Sequence, residues 1–192
     1  MKSSSDLFDL TGRIALVTGA SRGLGQYLAR ALAGAGANLA ITSRSVERLE
    51  AFVQEIRSMG RNVFAVELDV RDYDSIQSAV TKVFDRFGRI DILVNNAGCN
   101  VRRRAVDVTW EDWNLVLDTN LRGPFFVAQA VARTAMIPQR YGRVINIGSV
   151  TCVAGYAGLG PYCASRGGIK QLTMSLADDW GVYGITVKDA KE

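Results

Sequence analysis

Histidine is missing from the 192-residue chain, which removes several chemistries at once. Without imidazole there is no Ser-His-Asp triad, no histidine-based zinc site and no histidine pH switch. Cysteine is scarce. Cys99, Cys152 and Cys163 lack the spacing of metal ligands and read as reduced, small core residues, so no metal site is expected. Long apolar runs are lacking too; none reaches the ~20 residues needed to cross a bilayer, and no membrane partner is expected. Met1 to Thr11 is polar and has no signal-peptide pattern, which points to a cytoplasmic protein. Charge of one sign is not in large excess: 23 Lys and Arg against 19 Asp and Glu leave +4, too mild a bias to imply a nucleic-acid partner. There is no repeat, low-complexity tract or linker. The length suits one domain burying roughly 70% of its unfolded surface.

What is present is an alternation. Near-continuous apolar runs at Ile14–Thr18, Asn38–Thr42, Val63–Leu68, Ile90–Asn95 and Arg143–Ile147 read as parallel strands buried on both faces. Between them lie helical stretches near Leu24–Ala35, Val46–Met59, Asp72–Phe87, Trp110–Ile137 and Gly160–Val182. Thr109 followed by Asp112 resembles a capping box opening the fourth helix. The pattern predicts a right-handed, doubly wound α/β domain: a parallel Rossmann-type sheet in a three-layer α/β/α sandwich. Gly184-Ile185-Thr186-Val187 begins a sixth strand, after which a polar tail runs to Glu192, so the last strands are expected to be missing.

The first strand runs into Thr18-Gly19-Ala20-Ser21-Arg22-Gly23-Leu24-Gly25 and then into a helix. Glycines let a backbone turn tightly against a pyrophosphate, whose charge is favoured at a helix N-terminus. The spacing G-x-x-x-G-x-G meets the general dinucleotide fingerprint only loosely. Gly19, Ser21, Arg22, Gly23, Leu24 and Gly25 are the candidate phosphate-binding residues. An NAD site places an acid at the end of the second strand to bind the ribose 2′-hydroxyl. Ser43 and Arg44 stand there instead, and Arg22 adds a second cation, a set that suits a 2′-phosphate and NADP(H) over NAD(H).

Ser149, Tyr162 and Arg166 suggest proton chemistry. Residues four apart share a helix face, so Tyr162 and Arg166 point the same way. A phenol is a poor acid or base at neutral pH, and a fixed cation beside it favours its phenolate. A serine aimed at the same spot holds a substrate oxygen.

Together these residues resemble the short-chain dehydrogenase/reductase family in its smaller, one-domain form. The resemblance runs from Leu10 to about Val187. It includes the Thr18–Gly25 loop, Leu68-Asp69-Val70, Asn95-Asn96-Ala97-Gly98, Asn120, Ser149 and Tyr162. Within the family it resembles the 3-oxoacyl-carrier-protein reductases and the gluconate-type sugar-acid dehydrogenases. The resemblance implies a single NAD(P)-binding domain over 1–192 and an oxidoreductase moving a hydride between a nicotinamide cofactor and a carbonyl or secondary alcohol. It also implies a homodimer or homotetramer using the fourth and fifth helices. Asp69 and Val70 would border the adenine, Asn95 would brace the sheet, and Ala97 and Gly98 would pass the cofactor ribose. Asn120, interrupting the long fourth helix, would hold a relay water through its backbone. Ser149 would orient the substrate oxygen, and Tyr162 would exchange its proton.

The sequence departs from the family twice. Arg166 stands where the family has a lysine that contacts the cofactor ribose; arginine keeps the charge but is broad, planar and unable to pass on a proton. Weakened or retuned activity is expected, with gain of turnover on Arg166→Lys. The family's complete sixth strand, its Pro-Gly segment, a mobile substrate loop and a seventh strand are not in the sequence. Both departures leave a second reading open, a catalytically weak nucleotide-binding or interaction protein. Arg102-Arg103-Arg104 reads either as a solvated loop or as an attractor for an anionic substrate. Trp110 and Trp113 read as packing or subunit contacts.

Overall fold

A computed structural model describes residues 8–191; Met1 to Leu7 of the polar N-terminal stretch, and Glu192, lie outside the described residues. The strands β1 (Ile14–Val17), β2 (Asn38–Ser43), β3 (Val63–Glu67), β4 (Ile92–Asn95), β5 (Gly142–Gly148) and β6 (Ile185–Lys191) form one sheet in the order β3-β2-β1-β4-β5-β6. All pairings are parallel. β1 is buried along its whole length, which is why its sequence is apolar at every position rather than alternating.

Successive side chains still feed opposite layers. Ala15 and Val17 pack with Leu39 and Ile41 beneath α1 (Leu24–Gly34) and α2 (Glu50–Ser58), the latter entered through a 3-10 turn at Val46–Leu49. Leu16 and Leu93 pack on the other face against α3 (Tyr73–Phe87), with Val127 and Leu176 from later helices. Asp72 caps α3 by accepting the Ser75 amide at 2.7 Å, and Gly88 ends it in the left-handed conformation.

The long fourth helix is not uniform. α4 (Trp110–Leu117) opens with the expected capping box, Asp112 N–H to Thr109 Oγ1 at 3.1 Å and Thr109 N–H to Asp112 Oδ2 at 3.2 Å. It widens into a π turn at Asp118–Arg122, continues as α5 (Gly123–Val131), widens again at Ala132–Met136 and ends in α6 (Ile137–Gln139). α7 (Gly160–Gly181) follows β5.

Two expectations are corrected. β6 is a full strand of seven residues, in register with all of β5 from Gly142↔Ile185 to Gly148↔Lys191. Ile185 and Val187 are buried, but Lys188 to Lys191 are not, so the apolar signal stops while the backbone ladder continues. The cysteines are free but only half-buried, outside the core clusters, because each lies just beyond a strand end or in the first turn of α7.

Candidate active site

The site lies beyond the C-terminal ends of the central strands, where the strand order reverses between β1 and β4. Thr18, at the end of β1, locks the floor. Its Oγ1 accepts the amides of Asn96 and Ala97, both at 3.0 Å. Asn96 returns the tie, donating from Nδ2 to the carbonyls of Thr18 at 2.9 Å and Gly19 at 3.1 Å. This brings the glycine loop and the segment after β4 so close that side chains are excluded. A Cβ on Gly19 would stand 2.9 Å from Ala97 Cα, and one on Gly25 would stand 2.4 Å from the Gly19 carbonyl oxygen.

The cavity so formed has a volume of about 440 Å³. Its floor is Gly19, Ser21, Arg22, Gly23, Leu24 and Gly25, at the N-terminus of α1. Ser43 and Arg44 line it beyond β2, Leu68 to Arg71 beyond β3, and Asn96 to Cys99 beyond β4. Arg22 and Arg44 are exposed and form no ion pair among the described residues. Asp69 accepts Arg71 Nη2 at 2.6 Å and Nε at 3.0 Å. These bonds, with a lesser pull from the Arg44 charge, hold its carboxyl below the usual range, while the same partner raises Arg71. A glycine-rich cradle at a helix N-terminus and two arginines lining the same cavity without an ion pair among the described residues fit a phosphorylated dinucleotide.

A second pocket of about 250 Å³ adjoins it, lined by Asn96, Gly98, Cys99, Asn100, Ile147, Tyr162 and Arg166. Asn96, Gly98 and Cys99 line both. α7 delivers Tyr162 in its first turn and Arg166 one turn later. The guanidinium lies over the ring, with Cζ 4.9 Å from the Tyr162 centroid, so the two side chains point the same way. Nη1 donates to the Ile147 carbonyl at 2.7 Å. Ser149 follows β5 as the cap of the 3-10 turn Val150–Cys152; its Oγ accepts the Thr151 amide at 3.4 Å, and it lines neither cavity.

Asn120 sits within the π turn and is fully buried. Its side chain clasps the Cys99 peptide, accepting the amide and donating to the carbonyl, both at 2.8 Å, and reaches Ser165 Oγ at 3.2 Å. It therefore holds the segment after β4 against α7. Asn95, the residue expected to brace the sheet and counted among the candidate cofactor-binding residues, is buried at the end of β4: Nδ2 donates to the Pro124 carbonyl at 3.1 Å and Asn146 Oδ1 at 2.9 Å, and it does not line the cavity. Its side chain thereby ties β4 to β5 and to the first turn of α5. Asn96, Arg71, Leu115 and Thr119 line the cavity without having been singled out. Asn96 was within the quoted motif, and Arg71 was an opposite charge two residues after Asp69; Leu115 and Thr119 carry no comparable signal.

The sequence family described as short chain dehydrogenase matches residues 13–191. Gluconate 5-dehydrogenase of Gluconobacter oxydans is 40% identical over 96% of this chain and 72% of its own length. A 3-oxoacyl-[acyl-carrier-protein] reductase of Staphylococcus aureus is 40% identical over 90% of this chain and 70% of its own. The crystal structure of a gluconate 5-dehydrogenase from Burkholderia cenocepacia, in complex with NADP and tartrate, superposes with a TM-score of 0.94 at 38% identity, covering 98% of this chain and 74% of that one.

Proposed function

This chain belongs to the short-chain dehydrogenase family, an oxidoreductase family acting on CH–OH and C=O groups, and from that premise we propose an NADP(H)-dependent reaction with Tyr162 exchanging the substrate proton. The observation that carries this reading is the meeting of the two cavities. The cavity beside the glycine loop and the Tyr162 pocket share Asn96, Gly98 and Cys99, which supports a single ligand extending from the first to the second.

The chemistry that a bound nicotinamide dinucleotide supplies is a hydride. The chain supplies the rest. The α1 N-terminus and the Gly19–Gly25 loop bind phosphate, and Arg22 and Arg44 attract the 2′-phosphate. Asp69 and Val70 border the adenine. Ser149 orients the substrate oxygen, while Tyr162 gives it a proton in reduction or takes one in oxidation. Arg166 keeps a positive charge next to the phenol without giving up its own proton. Asn120 sets the distance between the segment after β4 and α7, and its backbone holds the relay water. The substrate is a small carbonyl compound or secondary alcohol, with gluconate the first candidate because relatives named for it match most of the chain. A homodimer or homotetramer in the cytoplasm completes the proposal; Trp110 and Trp113 are exposed at 76% and 42%, as a subunit contact requires.

The test combines binding and turnover. NADPH fluorescence should titrate more tightly than NADH, and absorbance should report oxidation of gluconate with NADP+ or reduction of small ketones. Tight dinucleotide binding with no turnover on any of them would favour the weak, binding-only reading instead.

A further inference from the structure

Among the described residues that line the large cavity, Asp69 is the one carboxylate, and it stands with three cations, Arg22, Arg44 and Arg71. A ligand carrying a pyrophosphate and a 2′-phosphate meets that acid as a like charge. Arg71 removes the conflict. Its Nη2 donates to Asp69 Oδ2 at 2.6 Å, its Nε to Oδ1 at 3.0 Å and its own backbone amide to Oδ1 at 3.0 Å. This two-point fork is a geometry that a lysine ammonium cannot reproduce. The backbone beneath is fixed as well. The Asp69 amide donates to Ser75 Oγ at 3.0 Å, and its carbonyl accepts the Asp72 amide at 3.1 Å, so the carboxylate is anchored to the start of α3. Asp118, the other acid on which the Arg71 charge acts, is held by Arg122 at 3.1 Å.

Arg44 is the cation that this pairing leaves available. β2 and β3 are neighbours in the sheet, and the Leu68 amide donates to the Ser43 carbonyl at 2.9 Å. Arg44 and Asp69 each come one residue after the two groups so joined. The Arg44 charge accordingly acts on the Asp69 carboxyl, though less than Arg71 does. Yet Arg44 forms no ion pair among the described residues. An Asp69 without Arg71 would compete with phosphate for it.

We propose that Arg71 is a positioning residue that sets dinucleotide specificity: by holding Asp69 it keeps Arg44 available, and so sustains discrimination for a 2′-phosphate that Arg71 itself does not contact. The proposal rests on reading the large cavity as an NADP(H) site.

Fluorescence titration of the whole chain with NADPH and with NADH tests this without requiring turnover. The readout is the ratio of the two affinities, in which contacts to adenine and pyrophosphate, common to both ligands, cancel. Wild type should prefer NADPH. Arg71→Gln should lower that preference roughly tenfold, about the worth of one charge-assisted hydrogen bond. Arg71→Lys, which keeps the charge without the fork, should fall between. Asp69→Asn should keep the wild-type ratio, and Asp69→Asn combined with Arg71→Gln should restore it. A thermal transition shows whether Arg71→Gln is folded; if it is not, Arg71→Lys and the double variant decide by the same criteria. The proposal is overturned by an unchanged ratio in Arg71→Gln, whether both affinities hold or both fall together. It is also overturned by a lowered ratio in Asp69→Asn, or by a double variant that stays low, which would mean that Arg71 meets the 2′-phosphate itself. A wild type that binds NADH as tightly as NADPH would remove the NADP(H) reading and the proposal with it; a preference for NADPH that Arg71→Gln leaves unmoved would remove the proposal alone.

Discussion

At the scale of single residues, the proposed preference for NADP(H) rests on the placement of charge. Arg44 stands just after β2, where a ribose-binding acid would repel a 2′-phosphate, and Arg22 lines the same cavity. Charge-assisted hydrogen bonds contribute about 1.5–3 kcal/mol each. Arg44→Asp should therefore weaken NADPH by about ten- to a hundredfold and improve NADH, read by fluorescence titration of both; an unchanged ratio would contradict the assignment. This much was legible because position relative to a strand end is a local property. The Thr18–Asn96 lock was not. It joins side chains and peptides 77–79 residues apart, and nothing in either segment alone announces the other. Arg166 was legible as a cation near Tyr162, but its fold over the ring depends on the Ile147 carbonyl, which only the packed sheet brings within reach.

At the scale of elements, Asp91 ties the entrance of β4 to that of β1. It is fully buried, and besides Arg13 and Arg89 it accepts the Ile14 amide at 2.9 Å. Burial alone would lift its carboxyl, but the bonds from Arg89, Ile14 and Arg13 outweigh burial and hold it below the ordinary value. A folded-state value below the unfolded one gives stability that is complete above about pH 4 and is lost as pH falls through the folded value. Asp91→Asn should cost about 2–3 kcal/mol at neutral pH, less than a fully buried pair because the arginines are 37% and 43% exposed. The gap to wild type in urea midpoints should narrow below about pH 4; a gap constant with pH would contradict the assignment.

Elements differed in how far the sequence revealed them. β1 to β5 stand out because buried parallel strands are apolar throughout. The fourth helix was visible as one long apolar pattern, and Asn120 as its interruption, yet its two π turns arise from one extra residue each and leave no mark on composition. The last half of β6, Lys188 to Lys191, is not buried and is held by backbone pairing to β5, which amino-acid pattern does not record.

At the scale of the whole molecule, the strand order gathers most candidate groups on one rim of the sheet. The segments after β1 and β4 carry the glycine-rich cradle, those after β2 and β3 the groups proposed for the adenosine end, and β5 with α7 the residues proposed for proton transfer. The sequence order of these motifs was readable; their convergence follows from the right-handed crossovers that leave all strand ends on the same side. The account stands on this convergence producing proton transfer at Tyr162 in step with hydride transfer. The most direct measurement compares wild type with Tyr162→Phe for NADP+-dependent oxidation of gluconate and NADPH-dependent reduction of small keto acids, while NADPH affinity is followed by fluorescence. The prediction is turnover in wild type, a loss of about a hundredfold to ten-thousandfold in Tyr162→Phe, and unchanged NADPH affinity. Equal turnover in the two proteins would contradict the account.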